Sequence, residues 1–406
     1  MHVLFLEPAF PQNQQEFVRA LHKVGARVTA LGEAPLHSLP GEIRACLYGY
    51  EQVPSVVNEP ALFQAVRRVQ EREWVDRLEA TVEAHIMAAA HVREACSIPG
   101  TSTRTAFLCR DKPAMKEALR EAGISCAQST GANSEQDVWE FAENAGFPLI
   151  LKPRDAAGAA GTYRADNPEE LKQVIAETGV AQGMPTAVEE FIEGHEGFYD
   201  TLTIQGEVVH DFACHYFPGV LEAMRNRWIS PQIICTNRLQ EDSYQEVKEM
   251  GRKVIDILGI ETSATHMEWF FGPKGLKFSE IGCRPPGVGA WDLYCAANEM
   301  DLYEEWAKAI VHGATEVRPS RKYSSGMIAL RPDQDGRIMA YEGLEEIMSR
   351  YREEIIDYHF PPEGQGTQEV EGGYMANAWM RLRHPDYDRL REIMDQIGET
   401  VQVRAG

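Results

Sequence analysis

The apolar and polar positions at the start of the chain follow the order strand, helix, strand. Residues 3–6 are all apolar, as in a buried strand, and residues 27–31 predict a second strand. Between them, residues 14–24 carry apolar positions at helical spacing and end at a glycine. Helical spacing returns from residue 60 to 95. The pattern therefore predicts a βαβ opening and a Rossmann-like N-terminal domain over residues 1–105.

The remainder of the chain mixes helical and strand patterns. Strand patterns occur at residues 147–152, 186–192, 199–215, 265–281 and 327–330, and helical patterns at 112–122, 167–178, 241–258, 344–352 and 385–397. Antiparallel hairpins among these strands indicate an α+β arrangement. We predict a second domain at 106–320 and a small C-terminal α+β domain at 321–406, so the fold class combines α/β and α+β.

Composition narrows the class of protein. The 406 residues are 44% hydrophobic, which allows a large buried core. Acidic residues outnumber basic ones 62 to 40, which argues against nucleic acid or an anionic membrane as a partner. No apolar run approaches the ~18 residues of a membrane span, and no leader-like segment begins the chain. The eight cysteines form no C-x-x-C pair, which predicts reduced thiols in a cytoplasmic protein without a zinc site.

Two acids on one predicted β-hairpin are the strongest candidate for chemistry. The connection 272–275 suits a three-residue loop with Gly275 in the left-handed position, which would place Gly272 opposite Leu276 and Glu268 opposite Glu280. Facing carboxylates repel unless a cation lies between them. A hard divalent cation with a substrate phosphate would satisfy both acids. The alternative is an exposed hairpin with two unrelated surface acids.

Two lysines precede this hairpin in positions suited to phosphate. Lys152 ends a short apolar strand and enters a loop of small residues, 155–161, whose backbone N–H groups could approach phosphate oxygens. Lys112 begins a helix, where anions are favoured. Judged separately, the loop could be a flexible turn and Lys112 a solvated first-turn residue.

The segment from Glu189 to Glu196 suggests a nucleotide-binding hinge. Its extended backbone could bind an adenine edge, and Glu196, seven residues after Glu189, could accept hydrogen bonds from both ribose hydroxyls. An ordinary strand and turn with acids on the wet face is the alternative.

In their order and spacing, these motifs resemble the ATP-grasp superfamily. The succession is a lysine at a helix start, a lysine before a small-residue loop, Glu-Glu-Phe-Ile-x-Gly-x-Glu, and then Glu-x11-Glu-x3-Arg. The resemblance covers residues 1–320, with a lid lobe at about 125–190 and a large lobe at 191–320. The part from Gly326 onward is similar to the closing domain of the biotin-carboxylase-like branch. The ATP-grasp fold is therefore expected.

The resemblance implies a role for each motif residue. Lys112 and Lys152 would contact ATP phosphates beneath a loop containing Gly158 and Gly161. Adenine would lie against Glu189 and the backbone of Glu190 and Ile192, and ribose against Glu196. Glu268 and Glu280 would share Mg²⁺, with Mn²⁺ as an alternative, and Arg284 and Lys152 would be catalytic.

One position departs from the family pattern. Many members carry an asparagine ligand two residues after the second metal acid, whereas this chain has Gly282. The metal shell would then need water or another side chain, or the second metal would be held more weakly. The Arg-Pro-Pro-Gly run at 284–287 is similar to the branch of amino-acid (dipeptide) ligases.

Substrate residues are harder to predict because a superfamily does not fix the substrate. Polar, cationic and aromatic side chains gather near strand ends, and an arginine there could bind a carboxylate with both N–H groups. The residues are His215, Tyr216, Arg225, Arg227 and His266, with Trp291 and Asp292 as further candidates for the acceptor pocket. A surface loop and a structural histidine are the alternatives.

The leading hypothesis is an ATP- and Mg²⁺-dependent ligase that phosphorylates a small carboxylate and couples it to an amine, such as that of an amino acid. A carboxylase that uses bicarbonate and a non-catalytic nucleotide-binding regulatory protein are the alternatives. The expected partners are small molecules, without nucleic acid or membrane, and a homodimer is one expected state.

Overall fold

The computed structural model describes residues 1–154, 161–370 and 377–406. Its first sheet has the strands β1 (His2–Leu6), β2 (Arg27–Gly32), β3 (Leu47–Gln52) and β4 (Arg77–Glu79), with the helices α1 (Gln14–Lys23), α2 (Gly41–Cys46), α3 (Glu59–Gln70) and α4 (Ile86–Ala95). All strand pairs are parallel, in the order β3-β2-β1-β4. The predicted βαβ opening is confirmed. The helical pattern predicted from residue 60 to 95 is interrupted, because β4 separates α3 from α4.

A second, antiparallel sheet has the order β5-β8-β6-β7. Its strands are β5 (Ser129–Ala132), β6 (Leu149–Pro153), β7 (Tyr163–Ala165) and β8 (Thr186–Glu190), and the neighbouring helices are α5 (Thr103–Leu108), α6 (Lys112–Glu121), α7 (Glu135–Ala145) and α8 (Pro168–Thr178). Asp111 caps α6 by accepting a hydrogen bond from the Ala114 N–H, which explains why this helix begins where it does. The predicted boundary after residue 105 falls inside α5.

The largest sheet has eight strands in the order β13-β12-β9-β10-β11-β14-β17-β16, and all of its pairs are antiparallel. Its strands are β9 (His195–Ile204), β10 (Glu207–Phe217), β11 (Gln232–Cys235), β12 (Ser263–Gly272), β13 (Gly275–Gly282), β14 (Ser324–Leu330), β16 (Ile355–His359) and β17 (Ala378–His384); β15 (Ile338–Glu342) pairs separately with β18 (Gln402–Ala405). The helices are α9 (Val220–Ala223), α10 (Gln245–Leu258), α11 (Ala290–Asn298), α12 (Leu302–His312), α13 (Leu344–Arg350) and α14 (Tyr387–Thr400). Because β14 pairs with β11, the predicted division at residue 320 does not separate two sheets.

One apolar core joins the first sheet to the segments that carry the predicted site. It contains Leu4 and Leu78 of the parallel sheet, Met115 of α6, Val254 of α10 and Phe278 of β13, all nearly inaccessible to solvent. This packing fixes the start of α6 against the β12–β13 hairpin. In the described parts of the chain, every helix is too short or too polar to cross a membrane.

Candidate active site

The β12–β13 hairpin places Glu268 directly opposite Glu280, as predicted. The predicted register at the turn is wrong, however, because Gly272 pairs with Gly275 rather than with Leu276. A β-bulge at Ser279 adds one residue to β13 and restores the facing pair of acids. Gly275 has φ +74°, in the left-handed region predicted for it.

Three lysines surround the acids on the side of α6 and β6. The Nζ of Lys112 lies 3.4 Å from an oxygen of Glu280, and that of Lys152 lies 3.9 Å from the same oxygen. Lys152 also binds Glu189 at 3.1 Å, and Lys116 binds the other Glu189 oxygen at 2.7 Å. The sequence reasoning missed Lys116, although its position one helical turn after Lys112 places both on one face of α6.

These pairings fix the charge states of the buried groups. Burial favours the protonated form of Glu189, but Lys116 and Lys152 override it and lower its pKa to about 2. Burial also opposes the charge of Glu280, yet Lys112 and then Lys152 lower its pKa. The pKa of Lys152 is raised, because Glu189 and Glu280 outweigh burial. Burial lowers the pKa of Lys116. We take both carboxylates as ionised.

Three acids, Glu196, Asp200 and Glu268, and the imidazole of His266 lie on the Glu268 side of the hairpin. Burial, and next the charge of Glu268, raise the pKa of Glu196 to about 8, although Glu196 accepts a hydrogen bond from the Val220 N–H at 2.6 Å. His266 lies 3.6 Å from Glu268 and 2.7 Å from Asp200. Asp200 raises the pKa of His266 to about 9 despite burial. Glu268 therefore lies beside the His266 cation, and its charge also acts on Lys152.

The two facing acids could hold a hard divalent cation as a pair. Glu268 and Glu280 offer oxygen ligands, and the pKa of the neighbouring Glu196 is raised first by burial and then by the charge of Glu268. In residues 1–154, 161–370 and 377–406, no group of three or more His, Cys, Asp or Glu side chains is placed to hold a metal. The pair would thus need water or substrate oxygens to complete a metal shell, as Mg²⁺ commonly does.

The predicted hinge borders the same cavity. The N–H of Glu190 donates to the Gln128 carbonyl at 3.0 Å, and the Glu190 carboxylate binds Lys274 at 2.8 Å. The Arg164 guanidinium lies 4.1 Å from the centre of the Phe191 ring. Because its N–H group is engaged, Glu190 could contact adenine only through its carbonyl oxygen. The Glu189 carboxylate contacts the two lysines, so its predicted contact with adenine stays a prediction.

A cavity of about 830 Å³ opens between the second sheet and the eight-stranded sheet. This volume is in the range of small-molecule sites. The predicted residues that line it are Lys112, Lys152, Glu189, Glu190, Ile192, Glu196, Tyr216, Arg225, His266, Glu268, Glu280 and Arg284, and Lys116 joins them. Gly161, at φ +66°, precedes the lining residue Thr162. Gly158 lies outside the described residues.

Two predicted substrate residues are placed away from this cavity. His215 alternates with Tyr216 on β10, so its ring points to the other face and bonds His195 at 2.8 Å and Tyr244 at 2.7 Å. Arg227 binds Asp335 at 2.6 Å. Neither is among the residues that line the cavity, and a contact of either with substrate stays a prediction.

The two further acceptor candidates also have structural partners. Trp291 is buried and its ring packs 5.1 Å from that of Phe17. Asp292 binds Arg381 at 2.9 Å and accepts a hydrogen bond from Tyr303 at 3.0 Å.

Arg284 is held by an acid that the sequence did not indicate. Its Nε donates to Glu83 at 2.7 Å, and one terminal N–H group donates to the Pro285 carbonyl at 2.8 Å. Glu83 comes 201 residues earlier in the chain, after β4. A Cβ at Gly282 would lie 3.1 Å from the Glu83 carboxylate, so this acid occupies the space beside the missing side chain.

Known proteins with similar sequences include the family that the motifs resemble. The family model of the ATP-grasp domain matches residues 117–299, which include Glu189, Glu268, Glu280 and Arg284. The L-arginine-specific L-amino acid ligase of Bacillus subtilis is 27% identical over 278 residues, which cover 67% of this chain and 66% of that protein. The chain spans less than half the length of the first curated relatives that it matches.

Solved structures share the architecture over almost the whole chain. The L-amino acid ligase from Bacillus licheniformis has a TM-score of 0.78 at 18% identity, covering 100% of this chain and 98% of that one. The biotin carboxylase domain dimer of the Hydrogenobacter thermophilus 2-oxoglutarate carboxylase, in complex with magnesium ADP, ADP and bicarbonate, has a TM-score of 0.66 at 17% identity and covers 99% of this chain and 90% of that one. The likeness shows the fold: a mixed α/β structure of the ATP-grasp type.

Proposed function

Because the chain contains an ATP-grasp domain, we propose that it is an ATP-dependent ligase that phosphorylates a small carboxylate and couples it to an amine. The observation that carries the proposal is the meeting of three lysines, two facing acids and Arg284 around one cavity. The lysines supply cations for a triphosphate, the acids supply metal ligands, and Arg284 supplies a planar donor for a second anion.

The reaction would proceed in two balanced steps. A carboxylate oxygen of the first substrate attacks the γ-phosphorus of ATP, the bond to the bridging oxygen breaks, and ADP leaves. The uncharged amine of the second substrate then attacks the acyl carbon, the carbon–oxygen bond to phosphate breaks, and the nitrogen loses a proton. The products are an amide, ADP and inorganic phosphate.

The cationic residues would bind phosphate and acyl phosphate, and the acidic residues would bind the metal ion. Lys112 and Lys152 would bind phosphate oxygens and keep them in line for transfer. Arg284 would donate to the acyl phosphate and to the oxyanion that follows, in a partly enclosed site where such hydrogen bonds are strong. Glu268 and Glu280 would hold Mg²⁺, which neutralises phosphate charge when bound.

Amino acids are the substrate class that the relatives favour. The relative from Bacillus subtilis and the structure from Bacillus licheniformis are both amino acid ligases. We infer that the acid, and the amine as well, comes from an amino acid or a similarly small molecule. Tyr216, Arg225 and His266 line the cavity, which supports them as residues that would contact this substrate.

Three finer points belong to the same proposal. We infer that Mn²⁺ can replace Mg²⁺, because carboxylate and water ligands suit both ions. The eight free cysteines support a reducing, cytoplasmic setting. A homodimer stays a prediction.

The direct test is release of ADP by the full chain in the presence of Mg²⁺ and ATP. Pools of amino acids and of simple amines should stimulate release, and a new amide should accumulate in equal amount to ADP. Release that depends on bicarbonate instead would indicate a carboxylase. Binding of nucleotide without stimulation by any pool or by bicarbonate would support a non-catalytic binding protein.

A further inference from the structure

The carboxylate of Glu83 connects the parallel sheet to the candidate active site. Glu83 begins the short 3-10 turn Glu83–His85 after β4, beyond the carboxyl end of that strand. One oxygen accepts from Arg284 Nε at 2.7 Å, and the other accepts from a terminal N–H group of Arg110 at 3.2 Å. The same Arg110 nitrogen donates to the Glu83 carbonyl. One acid thus binds two arginines that are distant in sequence.

The absence of a side chain at Gly282 leaves room for this arrangement. A Cβ there would approach the Glu83 carboxylate to 3.1 Å and two side-chain atoms of Arg284 to 3.6 Å. The first of these distances is tighter than an ordinary contact, so a larger residue would displace the acid or the arginine. Gly282, which departs from the family pattern, therefore leaves space beside it that the Glu83 carboxylate occupies.

Arg110 extends the connection to the phosphate side of the cavity. It directly precedes Asp111, which caps α6 and binds Arg154 through hydrogen bonds of 3.0 and 2.9 Å. The N–H of Lys112 donates to the Arg154 carbonyl at 3.2 Å. The segments that carry Lys112 and Lys152 are thereby joined to the acid that binds Arg284.

Glu83 itself is not among the described residues that line the cavity, whereas Arg284 is. The pair is also more enclosed than a surface ion pair, with side chains 15% exposed for Arg284 and 21% for Glu83. With Nε bound to Glu83 and one terminal N–H group bound to the Pro285 carbonyl, the remaining N–H groups of the Arg284 guanidinium are left to bind an anion in a fixed plane. The contact therefore governs where Arg284 points.

We propose that Glu83 is a positioning residue for the ligase reaction, which holds the Arg284 guanidinium in the orientation needed for the acyl phosphate. This inference rests on the proposed function. Glu83 acts through Arg284 and does not touch the reacting atoms.

The test compares Glu83→Gln with a matched variant of the same domain. Glu51 is also a glutamate held by two arginines, Arg68 and Arg72, and its side chain is 16% exposed, but it lies on β3 outside the cavity lining. Glu83→Gln should lower kcat for amide formation about 10- to 100-fold with the KM for ATP changed less than about twofold, because a misplaced group costs rate rather than nucleotide binding. Glu51→Gln should match the wild type. Equal kcat values for the two variants would overturn the proposal.

A second comparison separates positioning from a general structural effect. Arg284→Lys should retain ATP binding and lose most product formation, because a point charge cannot replace the planar fork. In that background Glu83→Gln should lower kcat no more than about twofold, since the residue through which it acts is already changed. A further fall as large as in the wild type would overturn the proposal.

Two further outcomes are distinguishable. If Glu83→Gln does not fold, Glu83→Asp keeps the charge on a shorter stem and should still lower kcat with an unchanged KM for ATP. A kcat equal to the wild type in this variant would overturn the role of Glu83. If the wild-type chain forms no amide with any pool, the proposed function fails and the positioning role fails with it.

Discussion

Single residues in this cavity are ionised because of partners far away in the sequence. Glu189 lies between Lys116 and Lys152, and Glu280 lies between Lys112 and Lys152. Removing one lysine of such a buried set leaves its acid with one cationic partner instead of two, which is costly in a buried site. The cluster is therefore organised before nucleotide arrives, and a triphosphate would compete with carboxylates already bound to its lysines.

Lys116→Met should show how much this cluster contributes to the free energy of unfolding. Lys116 is 1% exposed and its pairing with Glu189 is internal, so the variant should lose about 3 kcal/mol of unfolding free energy. Urea denaturation measures this loss. The exposed Lys172→Met on α8 is the control and should change stability by less than about 0.5 kcal/mol. Similar small changes in both variants would contradict the account.

Glu280→Gln should separate metal-dependent binding from folding. The variant keeps the shape of the side chain but removes a charged oxygen ligand, so ADP binding should become insensitive to Mg²⁺ and turnover should fall at least about 100-fold. Calorimetric titration of ADP with and without Mg²⁺ checks this. Glu207→Gln, exposed at the start of β10, is the control. Near-normal turnover at modest Mg²⁺ would remove Glu280 from the metal site.

Among the elements, the β12–β13 hairpin shows what could be predicted from the sequence and what could not. Alternation along two strands and a Gly-Pro-Lys-Gly turn predicted that Glu268 faces Glu280, and the structure confirms it. The turn register was wrong by one residue, and the bulge at Ser279 compensated for the error. Period-two alternation cannot locate a bulge, because the extra residue depends on the neighbouring packing. The three-residue β4 was missed because it is too short to interrupt a helical pattern.

Gly251→Ala tests how α10 packs on the large sheet. Alanine in a helix normally gains about 1 kcal/mol over glycine, but a Cβ here would lie 2.5 Å from the buried Tyr199 ring. Overpacking of a core costs about 1–3 kcal/mol, so the net effect should be destabilising by about 1 kcal/mol. Gly398→Ala on α14, where the nearest atom would be 3.3 Å away, is the control and should be milder. A stabilised Gly251→Ala variant in denaturant titration would contradict this packing.

In the whole molecule, contacts cross the boundaries that the sequence suggested. The eight-stranded sheet continues from β11 into β14 across residue 320, and Glu83 reaches Arg284 from the parallel sheet. Motif order was enough to predict the fold, and most of the predicted site residues line the cavity. The contact of Glu83 with Arg284 depends on long-range packing. The orientation of His215 away from the cavity depends on which face of β10 is turned inward. A single sequence does not contain that information in local form.

A chain that ends after residue 320 tests the shared sheet. It would lack β14 and β17, expose the edge of β11, and uncover apolar residues such as Ile234. We expect weak, non-cooperative unfolding and self-association, seen by circular dichroism and size-exclusion chromatography. A monomer that unfolds cooperatively with the stability of the full chain would show that the C-terminal part is an independent unit.

The acyl phosphate is the central claim, and transfer of oxygen tests it most directly. The full chain would be given ATP, Mg²⁺ and a pool of amino acids labelled with ¹⁸O in their carboxyl groups, and the phosphate released would be analysed by mass spectrometry. The account predicts one labelled oxygen in each phosphate formed together with an amide. Amide formed with unlabelled phosphate would contradict the account.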